Sequence, residues 1–142
     1  MIASHADAKY EIDDDWWREA GMTGFQPARR TFRSGTSQRA GLCVIEIPVA
    51  EIGPVTRRLS HGVFNDSEDS GSARDRVVRI LQGFREDSPI PPVEVVRTPE
   101  GPYRYRLSAG AHRLCCAVVA GFEAIPAVDV TEPVVTDGDL DA

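Results

Sequence analysis

Lysine is almost missing from this chain: of 16 basic residues only Lys9 is a lysine, and the rest are arginines. Acids outnumber bases 22 to 16, for a formal charge of −6 at pH 7. That balance excludes a partner held mainly by generic phosphate neutralisation, which needs a face rich in lysine and arginine, so net charge gives DNA binding no support. Arginine is the better planar ligand for phosphate and carboxylate, although GC-rich coding is the plainer cause of its excess. Cysteine is scarce too. Cys43, Cys115 and Cys116 are odd in number and two are adjacent, which gives neither a disulfide framework nor paired metal-ligand spacing. A reduced, cytoplasmic setting is therefore expected. No run of about 18 apolar residues is present, so no membrane span is expected. Met1 to Asp15 carries no apolar stretch and reads as no secretory signal. The sequence also holds no internal repeat.

What is present suffices for one domain. At 142 residues and 42% hydrophobic content, the chain can bury a core without a disulfide or metal staple. Composition divides it into a polar N-terminal extension (1–41) of unassigned role, a patterned region (42–130), and an acidic tail (131–142) carrying Glu132, Asp137, Asp139 and Asp141 and no base. In the patterned region, Leu42–Ile47 closed by Pro48 predicts a strand. A helix is expected around Val55–His61, and Asn65–Ser72 has linker chemistry. Val77, Ile80, Leu81 and Phe84 fall at helical spacing, with Arg74, Asp75, Arg76 and Arg79 off that stripe, which predicts an amphipathic helix. Ile90–Arg97 and Tyr103–Leu107 predict a hairpin, with Tyr103, Tyr105 and Leu107 on one face. A helix over Ala111–Ala120 ends at Gly121, and Ile125–Val130 is a last strand. This order describes an α+β domain, a small mixed β-sheet with helices packed on it.

The stretch SAGAHRLCCA (Ser108–Ala117) joins the hairpin to the last helix. Gly110 lets the backbone turn sharply between strand and helix and lets a ligand approach closely. The amides that follow would leave the helix N-terminus unpaired, where they and the helix dipole favour an anion. Arg113 could grip the same phosphate bidentately, with His112 beside it. Two bases at a helix N-terminus oppose the dipole unless an anion compensates. The competing reading is an ordinary strand–glycine–helix turn with a surface His-Arg pair. Cys115 and Cys116 read as small packing residues rather than reactive thiols.

Residues 43–130 resemble a known superfamily. The succession EIPVAEIGP (Glu46–Pro54), RDRVVRILQGF (Arg74–Phe84), the Pro- and Val-rich Ser88–Val96, a Gly-to-Tyr strand (Gly101–Leu107), G-x-H-R with an alanine-rich helix (Gly110–Ala120) and Gly-(x)3-Ile-Pro-Ala-Val (Gly121–Val128) is similar to the ParB N-terminal domain and sulfiredoxin superfamily. The resemblance implies that Gly110, Ala111, His112 and Arg113 receive the phosphates of a nucleoside triphosphate, ATP or CTP, possible Mg²⁺ included. Ala111 stands where sulfiredoxins carry their catalytic cysteine, which argues against sulfinic-acid reduction. Ala111 and His112 also break the glutamate and paired-arginine pattern of the CTP-operated partition clamps. The helix-turn-helix domain of those clamps is not expected in the twelve residues after Val130. A third branch resembles free-serine kinases, which implies a carboxylate base near the first helix; Glu51 is the candidate, with Glu46 behind it.

Arg57, Arg58 and His61 are further candidate phosphate ligands, with a plain surface role equally open. The acidic cluster Asp66–Asp69 lies in linker chemistry and makes a poor nuclease centre. In the extension, Trp16, Trp17, Phe25 and Phe32 alternate with arginines. Such a segment (16–35) could stack single-stranded nucleic acid, dock on a protein partner, or fold back over a sheet edge. Two uses of the domain follow as expectations. One is nucleotide binding for regulation or phosphotransfer, in a setting linked to plasmids or mobile elements. The other is a non-catalytic protein-interaction or DNA-linked module that keeps the fold without the nucleotide.

Overall fold

The computed structural model describes residues 1–6, 8–35, 42–55 and 73–131. Strands β1 (Ile2–His5) and β2 (Ala8–Glu11) form an antiparallel hairpin, followed by the short helix α1 (Asp14–Glu19). Strand β3 (Ile45–Pro48) leads through a 3-10 turn at Val49–Glu51. Helix α2 (Ala73–Glu86), strands β4 (Val93–Arg97) and β5 (Tyr105–Ala109), helix α3 (Ala111–Ala120) and strand β6 (Ala124–Asp129) complete the described chain.

The main sheet runs β3-β6-β4-β5. Strand β3 is antiparallel to β6, β4 is parallel to β6, and β4 and β5 form the expected hairpin. A small mixed sheet with helices packed on it is therefore the observed α+β architecture. Strand β3 is shorter than the apolar run suggested. Its register with β6 closes at Ile45 opposite Ala127, and Leu42 and Val44 remain exposed. The helix expected at Val55–His61 and the linker after it lie outside the described residues past Val55. So does the acidic tail beyond Thr131.

Helix α2 buries Val77, Leu81 and Phe84 from the periodic stripe and adds Val78, while Ile80 is half-buried at the rim. It ends at Asp87, whose φ of 56° puts a non-glycine residue in the left-handed region. The Ser88 N–H then donates to the Gly83 carbonyl at 2.9 Å, closing the last turn as C-terminal caps do. Helix α3 packs on α2, on β4 and on both strands, β1 and β2, of the N-terminal hairpin. Its Leu114, Cys115, Cys116 and Ala117 are fully buried among Val93, Val95 and Ile125 of the sheet.

The N-terminal 35 residues belong to the same core. Tyr10 and Ile12 have no exposed surface, and Trp17, Met22 and Phe32 join the cluster formed by the sheet and helices. Phe32, Phe84 and Phe122 pack ring against ring, with centroids 5.1 Å apart for Phe32–Phe84 and 5.0 Å for Phe84–Phe122. Arg29 pairs with Asp87, and Arg30 pairs with Glu46 at 3.1 Å and Glu123 at 3.6 Å. The aromatic–arginine alternation read as a possible stacking strip is thus divided between the core and ion pairs. Phe32 and Trp17 face inward, and no row of exposed rings stands over the described part of 16–35.

Candidate functional site

Gly110 holds the turn between β5 and α3 with φ 104°, a left-handed conformation that only glycine adopts at little cost. Its neighbours require glycine independently. A Cβ here would lie 2.8 Å from Val93 Cγ1 and 2.9 Å from Arg113 Nη2. The Arg113 side chain is therefore folded back across the turn that the glycine makes. No side chain caps α3, and the first intrahelical bond runs from Leu114 N–H to the Gly110 carbonyl at 2.9 Å. The earlier amides of Ala111, His112 and Arg113 have no acceptor within the helix.

Two clefts meet at this turn. The larger, about 620 Å³, runs along β5 and is lined by Gly53, Pro54 and Val55 on one side and by Tyr103 and Arg106 on another, with Gly110 and Ala111 at one end. The smaller, about 350 Å³, lies between α2 and α3. Its polar lining is basic throughout: Arg76 and Arg79 from α2, and His112 and Arg113 from α3. Gly110 and Ala111 line both.

Many of the described arginines outside the smaller cleft are paired. Arg18, Arg29, Arg30, Arg74, Arg85, Arg97 and Arg104 each sit beside a carboxylate. Among the described residues, Arg76 and Arg79 form no ion pair. Burial pulls the pKa of the Arg113 guanidinium down, with the Glu94 carboxylate opposing it; an arginine remains charged even so. His112 lines the cleft half-buried, with its Nε2 screened from solvent. Concave shape, uncapped amides and concentrated positive charge suit an anion with several oxygens.

The structure thus brings Gly110, Ala111, His112 and Arg113 together at the junction of two clefts. Glu51 lies in the lining of neither, and its carboxylate accepts from Arg104 Nη1 at 3.4 Å. Glu46 accepts from Arg30. Arg57, Arg58, His61 and the Asp66–Asp69 cluster lie outside the described residues. No group of three or more metal-ligating side chains occurs among the described residues. Nor does any described helix have the length and apolarity to cross a membrane.

Arg76 and Arg79 are the residues that sequence reading assigned to the solvent face of α2. Their spacing of three puts them on one side of the helix, and that signal was present. That this side borders the α3 turn is a tertiary fact. The two cysteines of the motif are packing residues. Burial pushes the Cys115 thiol up to about 12 and raises Cys116 well above the usual thiol range, so neither forms a thiolate at neutral pH.

Comparison with known proteins adds no name to this geometry. No family profile, curated protein or solved structure matches the chain.

Proposed function

We propose that this chain is a ParB/sulfiredoxin-like domain that binds a nucleoside phosphate, ATP, ADP or CTP, at the Gly110–Arg113 turn. The observation that carries the reading is the cleft between α2 and α3, where Arg76, Arg79, His112 and Arg113 converge beside an uncapped helix N-terminus. Gathering these bases at one helix N-terminus costs like-charge repulsion; Glu94 acts on Arg113, and a polyphosphate would offset the rest. The larger cleft along β5 begins at the same Gly110 and Ala111 and has room for the nucleoside. The distribution of charge also reconciles this ligand with a net-negative chain, because a small anion is held by a few converging groups and needs no basic face.

Binding for regulation fits the geometry better than phosphotransfer, because Glu51 is tied to Arg104 and lines neither cleft. Calorimetric titration with ATP, ADP and CTP, with and without Mg²⁺, tests the reading. Binding tighter than millimolar is expected, and a combined His112→Ala and Arg113→Ala change should weaken it by a factor of ten or more, about the loss of one charge-assisted contact. Unchanged binding in that variant, or none in the wild type, refutes the site. Slow ATP turnover abolished by Glu51→Ala would restore the phosphotransfer use.

A further inference from the structure

A relay of side-chain contacts joins the N-terminal hairpin to the wall of the larger cleft. His5, 4% exposed, is a buried polar side chain. Its Nε2 lies 3.0 Å from the Val49 carbonyl oxygen and its Nδ1 lies 3.0 Å from the Tyr10 hydroxyl. That hydroxyl accepts the Val55 N–H at 2.8 Å. A carbonyl oxygen can only accept, so Nε2 carries the proton and Nδ1 offers a lone pair to the Tyr10 O–H. The hydrogen bonds then run one way, from Val55 N–H through Tyr10 and His5 to the Val49 carbonyl, with every donor matched. Val49 and Val55 bracket the chain that supplies Gly53, Pro54 and Val55 to the cleft, and the Gly53 N–H is fixed from the other side by the Tyr105 carbonyl at 2.9 Å.

We propose that His5 and Tyr10 are positioning residues for this cleft, holding its Gly53–Val55 wall to the hairpin while His5 is neutral and releasing it when His5 is protonated. The use of the cleft rests on the nucleotide reading above; the relay itself does not. A protonated Nδ1 would point its hydrogen at the Tyr10 oxygen, which already accepts from Val55. The tyrosine hydrogen would then lose its buried acceptor, a costly state for a buried polar group. Cys115 on α3 and the Tyr103 phenol act on Tyr10, Glu51 on the 3-10 turn is held by Arg104, and Lys9 and Glu11 are exposed positions of β2.

Burial pulls the His5 pKa below its ordinary 6.5, with the Ile52 and Val49 carbonyls opposing. A base depressed in the folded state stabilises the fold fully above 6.5, where both states are neutral. That contribution is lost as pH falls below 6.5, because the unfolded chain takes up the proton first.

Nitrogen–proton NMR on the full chain tests the relay. The Nε2–H tautomer is expected at neutral pH, and an Nδ1–H tautomer would overturn the proposal. Exchange protection of the Val55 amide should fall about tenfold when Tyr10→Phe removes only the hydroxyl, and again in the wild type between about pH 8 and about pH 5. Protection that neither change moves overturns it. If Tyr10→Phe unfolds the chain, the wild-type tautomer and pH series still decide. ATP affinity should drop about tenfold in Tyr10→Phe and toward acid pH. Val55 protection lost with ATP affinity intact refutes the positioning role and leaves nucleotide binding standing. A wild type that binds no nucleotide but shows the expected Val55 behaviour supports the relay and refutes the nucleotide reading.

Discussion

Gly110 and Gly121 close the two ends of α3 in nearly the same backbone conformation, with φ 104° and 98°. They differ in what surrounds them. A Cβ at Gly121 would lie 3.5 Å from Pro27, an ordinary contact, whereas one at Gly110 would collide with the buried strand residue Val93 and with Arg113. Gly121→Ala should therefore cost only the left-handed penalty, about 1–2 kcal/mol. Gly110→Ala adds overpacking and should cost about 2–4 kcal/mol in denaturant unfolding. Equal losses at the two positions would remove the argument that close approach, as well as φ, selects glycine at the site. Thiol reactivity separates the cysteines in the same way. In the native protein Cys43 is exposed while Cys115 and Cys116 are buried with raised pKa values, so an aromatic disulfide reagent should label Cys43 alone until the protein unfolds.

At the level of elements, local chemistry announces its structure where one segment contains the whole signal. Helix α2 shows its apolar stripe at helical spacing, the β4–β5 hairpin shows its alternation, and α3 shows a glycine at each end. The N-terminal hairpin does not announce itself. Its strands are four residues each, and their inward faces gain partners far away in sequence, on α3 and around Val49 and Val55. The alternation of Ala8, Tyr10 and Ile12 with Lys9 and Glu11 was there to be read, but acids on both sides masked it. The candidate site was legible in the same partial way. Gly110–Arg113 is a local motif, while Arg76 and Arg79 join it only through the packing of α2 on α3. Core membership of the N-terminal segment gives an expected outcome: Phe32→Ala, which removes a 4%-exposed ring packed on Phe84 and Phe122, should cost about 3–5 kcal/mol. A loss below about 1 kcal/mol in chemical denaturation would mean that this segment only rests on the domain.

Across the whole molecule, the net charge and the site point in opposite directions and are reconciled by location. Most described arginines are neutralised where they stand by exposed carboxylates, pairs worth little individually. Around the start of α3 the bases of two helices line one small volume, a local concentration of positive charge on an acidic protein. The central claim is that this volume receives a polyphosphate. The most direct measurement is a titration of the isotopically labelled chain with ATP, followed amide by amide in nitrogen–proton spectra. The account predicts the largest shifts at Gly110, Ala111, His112 and Arg113, with secondary shifts at Arg76 and Arg79. An unchanged spectrum at millimolar ATP, or shifts centred on the Phe25–Arg33 segment instead, would contradict it.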